Sequence, residues 1–405
     1  MNKGRRVVIS AAERISRLPP YLFAEIDRQK SAARRRGMDL IDFGIGDPDL
    51  PTPSFIVDAA REAVADPACH RYPAGAGSRS FQDAAAAWMA TQFGIGADRD
   101  VSVAAVIGTK EGIAHTPLFF CNPGDIVLVP NPGYPVYRAS AILADALPVD
   151  LPLLPENGFL PDLATVGGEV LDRARMLFLN YPNNPTGAVM DLEAMGEVVE
   201  WARREDILIV SDNSYSHLRF DGKPPVSFLQ VPGSEDVCLE FHSLSKTFNM
   251  TGWRVGFVAG GSRLVQTFTA AKENIDSGVF TAVQRAATAA LGDFDPARFE
   301  VYARRRAILV EGLGKLDWEV YDSPGTFYVW VRLPKGTESM KFARKLILHA
   351  GIVVTPGSGF GSWGEGFVRF ALTIPEEAIH KAIGRLEQKE LFNHRIKAWL
   401  RMAGE

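Results

Sequence analysis

Short apolar runs rich in β-branched residues recur along the first three quarters of the chain, and helix-like segments separate several of them. The runs are VSVAAVIG, DIVLVPNP, ARMLFLNYP, DILIVSDNSY, DVCLEFHSLS and WRVGFVAGG, and LEAMGEVVEWARRED is one of the intervening segments. Runs that are apolar at nearly every position suit strands buried on both faces of a sheet. The alternation therefore predicts an α/β fold, with a mostly parallel central sheet and helices on both of its faces.

A change of pattern near residue 291 predicts a second, smaller domain. A charged helix is predicted from about Pro296 to Lys315, and the later segments WEVYDSPGTFYVWVRLP and VRFALT alternate like half-exposed antiparallel strands. A chain of 405 residues is long enough for two cores. We expect an arm and helix at residues 1–45 that pack on the small domain, a large domain at 46–291, and a small α+β domain at 292–405.

Composition excludes several classes of function. A formal net charge of -4 leaves no basic excess for a nucleic-acid backbone, which favours a small-molecule partner. No window approaches the roughly 18 uncharged apolar residues of a membrane helix. Cys69, Cys121 and Cys238 are too few and too far apart for a disulfide framework, so a reducing, cytoplasmic location is expected. No histidine or cysteine spacing predicts a metal site.

Polar residues follow the predicted strands, at the edge where ligands bind in open α/β sheets. They stand in five short segments, each directly after an apolar run. The candidate residues are Gly108, Thr109 and Lys110; Tyr134; Asn184; Asp212 and Tyr215; and Ser243, Ser245, Lys246 and Arg254. Because the carboxyl ends of parallel strands meet at one edge, we expect these side chains to lie together.

The chemistry of this set points to one ligand. Hydroxyl groups, an arginine and the N-terminus of a helix suit a phosphate. Asp212 could pair with a protonated ring nitrogen, Asn184 and Tyr215 could bond a ring oxygen, and Tyr134 could stack on the ring. Lys246 could form a Schiff base with an aldehyde. Pyridoxal 5'-phosphate combines all of these groups.

The segments SLSKTFNMTGWR, NNPTG and DNSY, in their order and spacing, resemble the class I and II aminotransferases of fold type I, which depend on pyridoxal phosphate. The resemblance covers nearly the whole chain. PPYLFAEID, DFGIGDPDLPTP, FLNYPNNPTGAV and EFHSLSKTFNMTGWR look most similar to the LL-diaminopimelate aminotransferases and their bacterial and archaeal relatives. The resemblance implies ping-pong transfer of an α-amino group from an amino acid to a 2-oxo acid, with LL-diaminopimelate and 2-oxoglutarate as the candidate pair.

The resemblance also implies roles for single residues. Lys246 would hold the cofactor and shuttle a proton, with Asp212 on the pyridine nitrogen. Tyr215 and Asn184 would bond the ring oxygen, and Tyr134 would stack on the ring. Lys246, Asp212 and Tyr215 would form the catalytic set.

Substrate binding and assembly follow from the same resemblance. Arg369, in GFVRFALT, would bind the substrate α-carboxylate, and the backbone of Gly46 would lie against it. Tyr21, in the N-terminal arm, suits the far end of the substrate. Tyr72 would reach the cofactor phosphate of the neighbouring subunit, so the implied assembly is a homodimer with shared active sites.

One departure keeps other substrates and reactions open. Better-studied relatives carry a glutamate three residues after the tyrosine of the RYP segment or nearby, whereas this chain has Gly75 and Ala76. A general aminotransferase for aspartate, alanine, methionine or aromatic substrates is therefore one alternative. A carbon–sulfur β-lyase is another, because the same fold and cofactor support elimination.

Overall fold

The computed structural model describes residues 9–19, 22–321 and 324–388. Its strands are β1 (Ile41–Asp42), β2 (Val101–Val106), β3 (Ile126–Asn131), β4 (Leu147–Pro152), β5 (Ala174–Leu179), β6 (Leu208–Asp212), β7 (Cys238–Ser243), β8 (Gly256–Gly261), β9 (Glu319–Tyr321), β10 (Tyr328–Arg332), β11 (Ile352–Val353), β12 (Thr355–Pro356) and β13 (Phe367–Ala371).

The α-helices are α1 (Glu13–Ser16), α2 (Leu22–Arg35), α3 (Ser54–Ala65), α4 (Arg79–Phe93), α5 (Thr109–Phe120), α6 (Val136–Leu143), α7 (Gly168–Leu171), α8 (Leu192–Arg204), α9 (Leu244–Thr247), α10 (Ser262–Lys272), α11 (Thr281–Gly292), α12 (Glu300–Lys315), α13 (Ser339–Ala350) and α14 (Glu376–Gln388). The predicted charged helix is thus α12, preceded by a 3₁₀ turn at Pro296–Phe299. No helix in these described ranges is long and apolar enough to cross a membrane.

The central sheet has seven strands in the order β2-β8-β7-β6-β5-β3-β4. Strands β4, β3, β5, β6 and β7 pair in parallel, and β8 runs antiparallel to both β7 and β2. The mostly parallel sheet predicted from the apolar runs is therefore confirmed, with β8 as the exception. The carboxyl ends of the other strands share one edge.

Side chains of the sheet alternate between two apolar cores, as the period of a β-strand requires. In β3, Ile126 and Leu128 pack in one core, whereas Val127 and Val129 pack in the other. The first core takes up α4, α8 and α11, and the second takes up α5, α6 and α10. Helices on both faces explain why these strands lack the polar alternation of a sheet exposed on one side.

A separate four-stranded antiparallel sheet, in the order β12-β13-β10-β9, packs with α12, α13 and α14 around a third core. Near the N-terminus, α2 packs on α13 through Ile26, Ala33 and Ile347. Strand β1 pairs in parallel with β11. Helix α2 and strand β1 thus contact α13 and β11, in the C-terminal part of the chain. The packing of an arm and helix at residues 1–45 on a small domain stays a prediction. The exact boundaries at 45 and 291 stay a prediction.

Candidate active site

A cavity of about 680 Å³ opens at the edge where the parallel strands end. Twelve of the fifteen predicted site residues line it: Gly46, Thr109, Lys110, Tyr134, Asn184, Asp212, Tyr215, Ser243, Ser245, Lys246, Arg254 and Arg369. Gly108 is buried and directly precedes the lining residue Thr109 in the chain. Tyr72 lies apart and is 89% exposed, and Tyr21 falls outside the described residues. No group of three or more His, Cys, Asp or Glu side chains within the described ranges could hold a metal ion.

One end of the cavity has the groups of an anion site. Gly108 joins β2 to α5 with a φ of +76°, and a Cβ placed there would come within 2.8 Å of the Arg254 guanidinium carbon. The absence of a side chain therefore lets the guanidinium lie over the first turn of α5, where the N–H groups of Thr109 and Lys110 lack an acceptor within the helix and suit an anion. Ser243 caps α9, with its Oγ accepting a hydrogen bond from the Ser245 N–H at 3.2 Å.

A buried carboxylate forms the floor. Asp212 ends β6 and accepts hydrogen bonds from the Tyr137 hydroxyl at 2.8 Å and from the Ser214 hydroxyl at 2.5 Å. Burial raises the pKa of Asp212, while the hydrogen bonds from Ser214 and Tyr137 and the charge of Lys246 act in the opposite direction. The Ser214 hydroxyl also lies 3.2 Å from that of Thr109. The floor carboxylate and the first turn of α5 are thus joined by two hydroxyl groups.

Lys246 enters the cavity from α9, a single turn that follows β7 directly. Its Nζ donates a hydrogen bond to the Gly46 carbonyl at 2.9 Å. Burial lowers the pKa of Lys246 to about 8. The charge of Asp47 raises this pKa, whereas the charges of Arg369 and Arg254 lower it further. A buried amine with a depressed pKa has a larger unprotonated, nucleophilic fraction near neutral pH.

Arg369 lies in β13 on the opposite wall and is buried. Its Nη1 donates to the Asn184 side-chain oxygen at 2.8 Å, and its Nη2 donates to the Gly44 carbonyl at 3.0 Å. Burial lowers the pKa of Arg369. Within the described ranges its Nε has no hydrogen-bond partner. The guanidinium stacks on the Tyr328 ring, with its carbon 4.0 Å from the ring centre, which fixes its plane.

Two important tyrosines escaped the sequence analysis. Tyr137 supports Asp212, as described above. Tyr328, in β10, lies between Arg369, Tyr215 and Gly46: its hydroxyl is 3.2 Å from that of Tyr215, and a Cβ on Gly46 would come within 2.7 Å of its ring carbon Cζ. The only signal for Tyr137 is its position one helical turn after Tyr134. Tyr328 carries no signal, because aromatic residues in strands usually pack in a core.

The residues present fit pyridoxal 5'-phosphate. An anion site, a reactive amine and a buried carboxylate line one cavity, and these are the partners required by its phosphate, aldehyde and ring nitrogen. Together with the seven-stranded mixed sheet, this donor set defines the pyridoxal-phosphate enzymes of fold type I.

Sequence comparison gives the family within that class. The chain belongs to the class I and II aminotransferases, whose family pattern matches residues 38–386. The LL-diaminopimelate aminotransferase of Gloeobacter violaceus is 50% identical over 384 residues, which cover 94% of this chain and 98% of that protein. The enzymes of that name from Halothermothrix orenii and Aquifex aeolicus are each 47% identical, over 94% of this chain and 98% and 99% of those proteins.

Solved structures give the same result. Substrate-bound BacF from Bacillus subtilis superposes with a TM-score of 0.90 at 35% identity, covering 95% of this chain and 98% of that one. A probable N-succinyldiaminopimelate aminotransferase from Thermus thermophilus gives a TM-score of 0.85 at 34% identity, covering 91% and 99%. The protein is therefore an aminotransferase that uses pyridoxal 5'-phosphate, and its substrates are amino acids and 2-oxo acids.

Proposed function

We propose that this aminotransferase takes the amino group of LL-diaminopimelate and passes it to 2-oxoglutarate. The observation that carries the proposal is the identity of 47–50% with enzymes of that name over 94% of the chain. Lysine biosynthesis is the pathway to which this reaction would belong. Transfer by a ping-pong mechanism is part of the proposal.

Lys246, Asp212 and Tyr215 form the proposed catalytic set. When bound, pyridoxal 5'-phosphate supplies an aldehyde that accepts the amino group and a ring that delocalises negative charge. Lys246 moves the proton at the substrate α-carbon, a role that suits its buried amine with a lowered pKa. Asp212 would hold a proton on the ring nitrogen, because a buried carboxylate is stabilised by an adjacent positive charge. Tyr215 would donate a hydrogen bond to the ring oxygen.

The anion end of the cavity would bind the phosphate. Gly108, Thr109, Ser243, Ser245 and Arg254 supply two hydroxyl-bearing turns, free N–H groups and one guanidinium. This arrangement is supported by the close packing of Arg254 over Gly108, which fixes the guanidinium beside the first turn of α5. Lys110 is exposed at the rim, where its charge adds to the attraction.

Recognition of the substrate α-carboxylate falls to Arg369, Asn184 and the backbone at Gly46. The guanidinium is buried, held in its plane by Tyr328 and already bonded to Asn184, so it is pre-organised for a planar anion. Tyr134 lines the same cavity with its ring perpendicular to Tyr137 and would stack on the cofactor.

A shared active site in a homodimer is also part of the proposal. Tyr72 is 89% exposed, and the nearby surface carries Ile275 at 48% and Phe280 at 45%. Gly278 packs closely against the backbone of Ala74, which makes these two segments one surface. An exposed apolar patch of this kind favours contact with another protein surface. Mixing inactive Tyr72→Phe and Lys246→Ala variants should regenerate activity through hybrid dimers; no recovery despite proven subunit exchange would refute a shared site.

The substitutions at Gly75 and Ala76 favour the competing proposal of a general amino-acid aminotransferase. The Glu273 carboxylate nevertheless lies beside Gly75. A Cβ on Gly75 would come within 2.7 Å of the Glu273 carboxyl carbon, so the Glu273 side chain occupies the space of a side chain at position 75. An acidic group is therefore present beside Gly75, three positions after Tyr72, which supports a substrate with a second ammonium group.

A panel of amino donors separates these proposals. LL-diaminopimelate, aspartate, alanine, methionine and phenylalanine would each be tested with 2-oxoglutarate and with pyruvate as acceptor. We expect kcat/KM to be highest for LL-diaminopimelate with 2-oxoglutarate. A higher value for any other donor would overturn the substrate assignment, and pyruvate and ammonia formed without an acceptor would show β-elimination.

We also propose a cytoplasmic location. All three cysteines are free, and Cys69 and Cys238 are buried, which suits a reducing compartment.

A further inference from the structure

A buried lysine lines the cavity and has no place in the proposed chemistry. Lys30 lies on α2 and is only 6% exposed. Its Nζ lies 2.7 Å from an Asp42 carboxylate oxygen and 3.1 Å from one of Asp27. Burial alone would lower the pKa of Lys30, but the hydrogen bonds and charges of Asp42 and Asp27 outweigh it, and the pKa is raised. The ion pair therefore keeps Lys30 charged inside the cavity wall.

The second oxygen of Asp42 continues the contact toward Arg369. Asp42 Oδ1 accepts a hydrogen bond from the Gly44 N–H at 2.9 Å. The carbonyl of Gly44 in turn accepts hydrogen bonds from Arg369 Nη2 at 3.0 Å and from the Thr355 hydroxyl at 3.1 Å. A continuous chain of polar contacts thus joins α2 to the guanidinium.

These polar contacts hold in place a segment that has little secondary structure of its own. Strand β1 contains only Ile41 and Asp42, and it ends two residues before the Gly44 carbonyl. Any movement of Asp42 that breaks its contact with Lys30 would leave the buried ammonium with the exposed Asp27 carboxylate as its remaining ionic partner, which is costly. The ion pair therefore opposes movement of the Phe43–Gly44 peptide, whose N–H is bonded to Asp42, and with it displacement of the adjoining Gly44 carbonyl that accepts from the guanidinium.

We propose that Lys30 is a positioning residue for Arg369 and thereby tunes the affinity for the substrate carboxylate. The effect is transmitted through Asp42 and the backbone N–H and carbonyl of Gly44, and Lys30 itself contacts no reacting atom. The inference rests on the proposed role of Arg369 as the carboxylate-binding residue. It makes the N-terminal helix α2 a determinant of substrate binding.

The test measures carboxylate binding separately from catalysis. Pentanoate, a carboxylate without an amino group, is titrated calorimetrically into the holoenzyme, and kcat and KM are measured with the best amino donor of the panel. Lys30→Met should raise the Kd for pentanoate and the KM about 5- to 10-fold while kcat changes less than about twofold. Lys30→Arg keeps the charge and should restore both values to within about threefold of the parent.

Two controls separate positioning from general destabilisation. Asp27→Asn removes the second ionic partner of Lys30. The Asp27 side chain is 65% exposed and takes no part in the polar contacts that lead to Arg369, so this variant should leave the pentanoate Kd unchanged. Lys272, the last residue of α10, is another buried lysine and is paired with Asp276. Lys272→Met should lower thermal stability without changing pentanoate affinity. An equal loss of affinity in Lys272→Met would refute a specific role for Lys30.

Arg369→Ala separates failure of this inference from failure of the proposed function. If Arg369→Ala leaves pentanoate binding unchanged, the proposed role of Arg369 is wrong, and the role of Lys30 is wrong with it. If Arg369→Ala abolishes binding but Lys30→Met stays within twofold of the parent, only the inference on Lys30 is overturned. Should Lys30→Met not fold, Asp42→Asn tests the same ion pair, because the asparagine keeps an acceptor for the Gly44 N–H and loses the charge.

Discussion

The lowered pKa of Lys246 makes a quantitative prediction about its reactivity once the cofactor has been removed. With a pKa of about 8, against an ordinary 10.5, about one-tenth of the amine is unprotonated at pH 7. A lysine at the ordinary value would be about 0.03% unprotonated, so the reactive fraction should be roughly 300-fold larger. The main cause is burial in the cavity wall, since water no longer stabilises the ammonium form.

The assay is the pH dependence of chemical modification. Cofactor-free enzyme is treated with trinitrobenzenesulfonate, and the modified lysines are quantified by mass spectrometry. Because the unprotonated amine is the nucleophile, the rate at Lys246 should rise with pH, pass its midpoint near pH 8 and level off above it. The exposed Lys335 provides the reference for reagent concentration in each sample.

A charge variant checks the cause. Asp47 opposes the lowering of the Lys246 pKa, so Asp47→Asn should move the midpoint to lower pH. A midpoint near 10.5 in the parent protein would refute the argument from burial. A shift to higher pH in Asp47→Asn would refute the assigned sign of the electrostatic contribution.

Three further results are expected elsewhere in the structure. Gly108→Ala should weaken binding of pyridoxal 5'-phosphate and destabilise the fold by about 1–3 kcal/mol, because the new methyl group meets the Arg254 guanidinium and φ is +76°. Fluorescence titration measures the loss of cofactor affinity, and thermal melting measures the loss of stability. Arg369→Lys should lower kcat/KM by at least about 100-fold, since a single ammonium cannot reproduce planar two-point binding; a loss below tenfold in steady-state kinetics would contradict this. Glu240→Gln should lower the free energy of unfolding, measured by urea denaturation, by about 2–4 kcal/mol. The buried Glu240 carboxylate lies 2.9 Å from the His242 ring, and this contact lowers the pKa of Glu240 despite burial. An unchanged urea midpoint would contradict this prediction.

The sequence by itself determined the sheet and the residues at its functional edge. Apolar runs without polar alternation require burial on both faces, and parallel strands with helical connections place their carboxyl ends together. Asp212 and Ser243 are the last residues of β6 and β7, and Lys246 comes three positions after β7, so their meeting in one cavity could be deduced from chain order. The antiparallel direction of β8 could not, because a buried strand has the same composition in either direction.

Tertiary packing decided which side chains support that edge. Tyr137 reaches Asp212 across 75 positions of the chain, and Gly44 meets Arg369 across 325. The motifs that hold these supporting residues resemble ordinary core sequence, because a tyrosine in a strand or a lysine in an amphipathic helix is usually explained by packing or solvation. Lys30 is distinguished only by being buried against Asp42. That burial arises when α2 packs on α13 and β1 pairs with β11, and no local pattern encodes it.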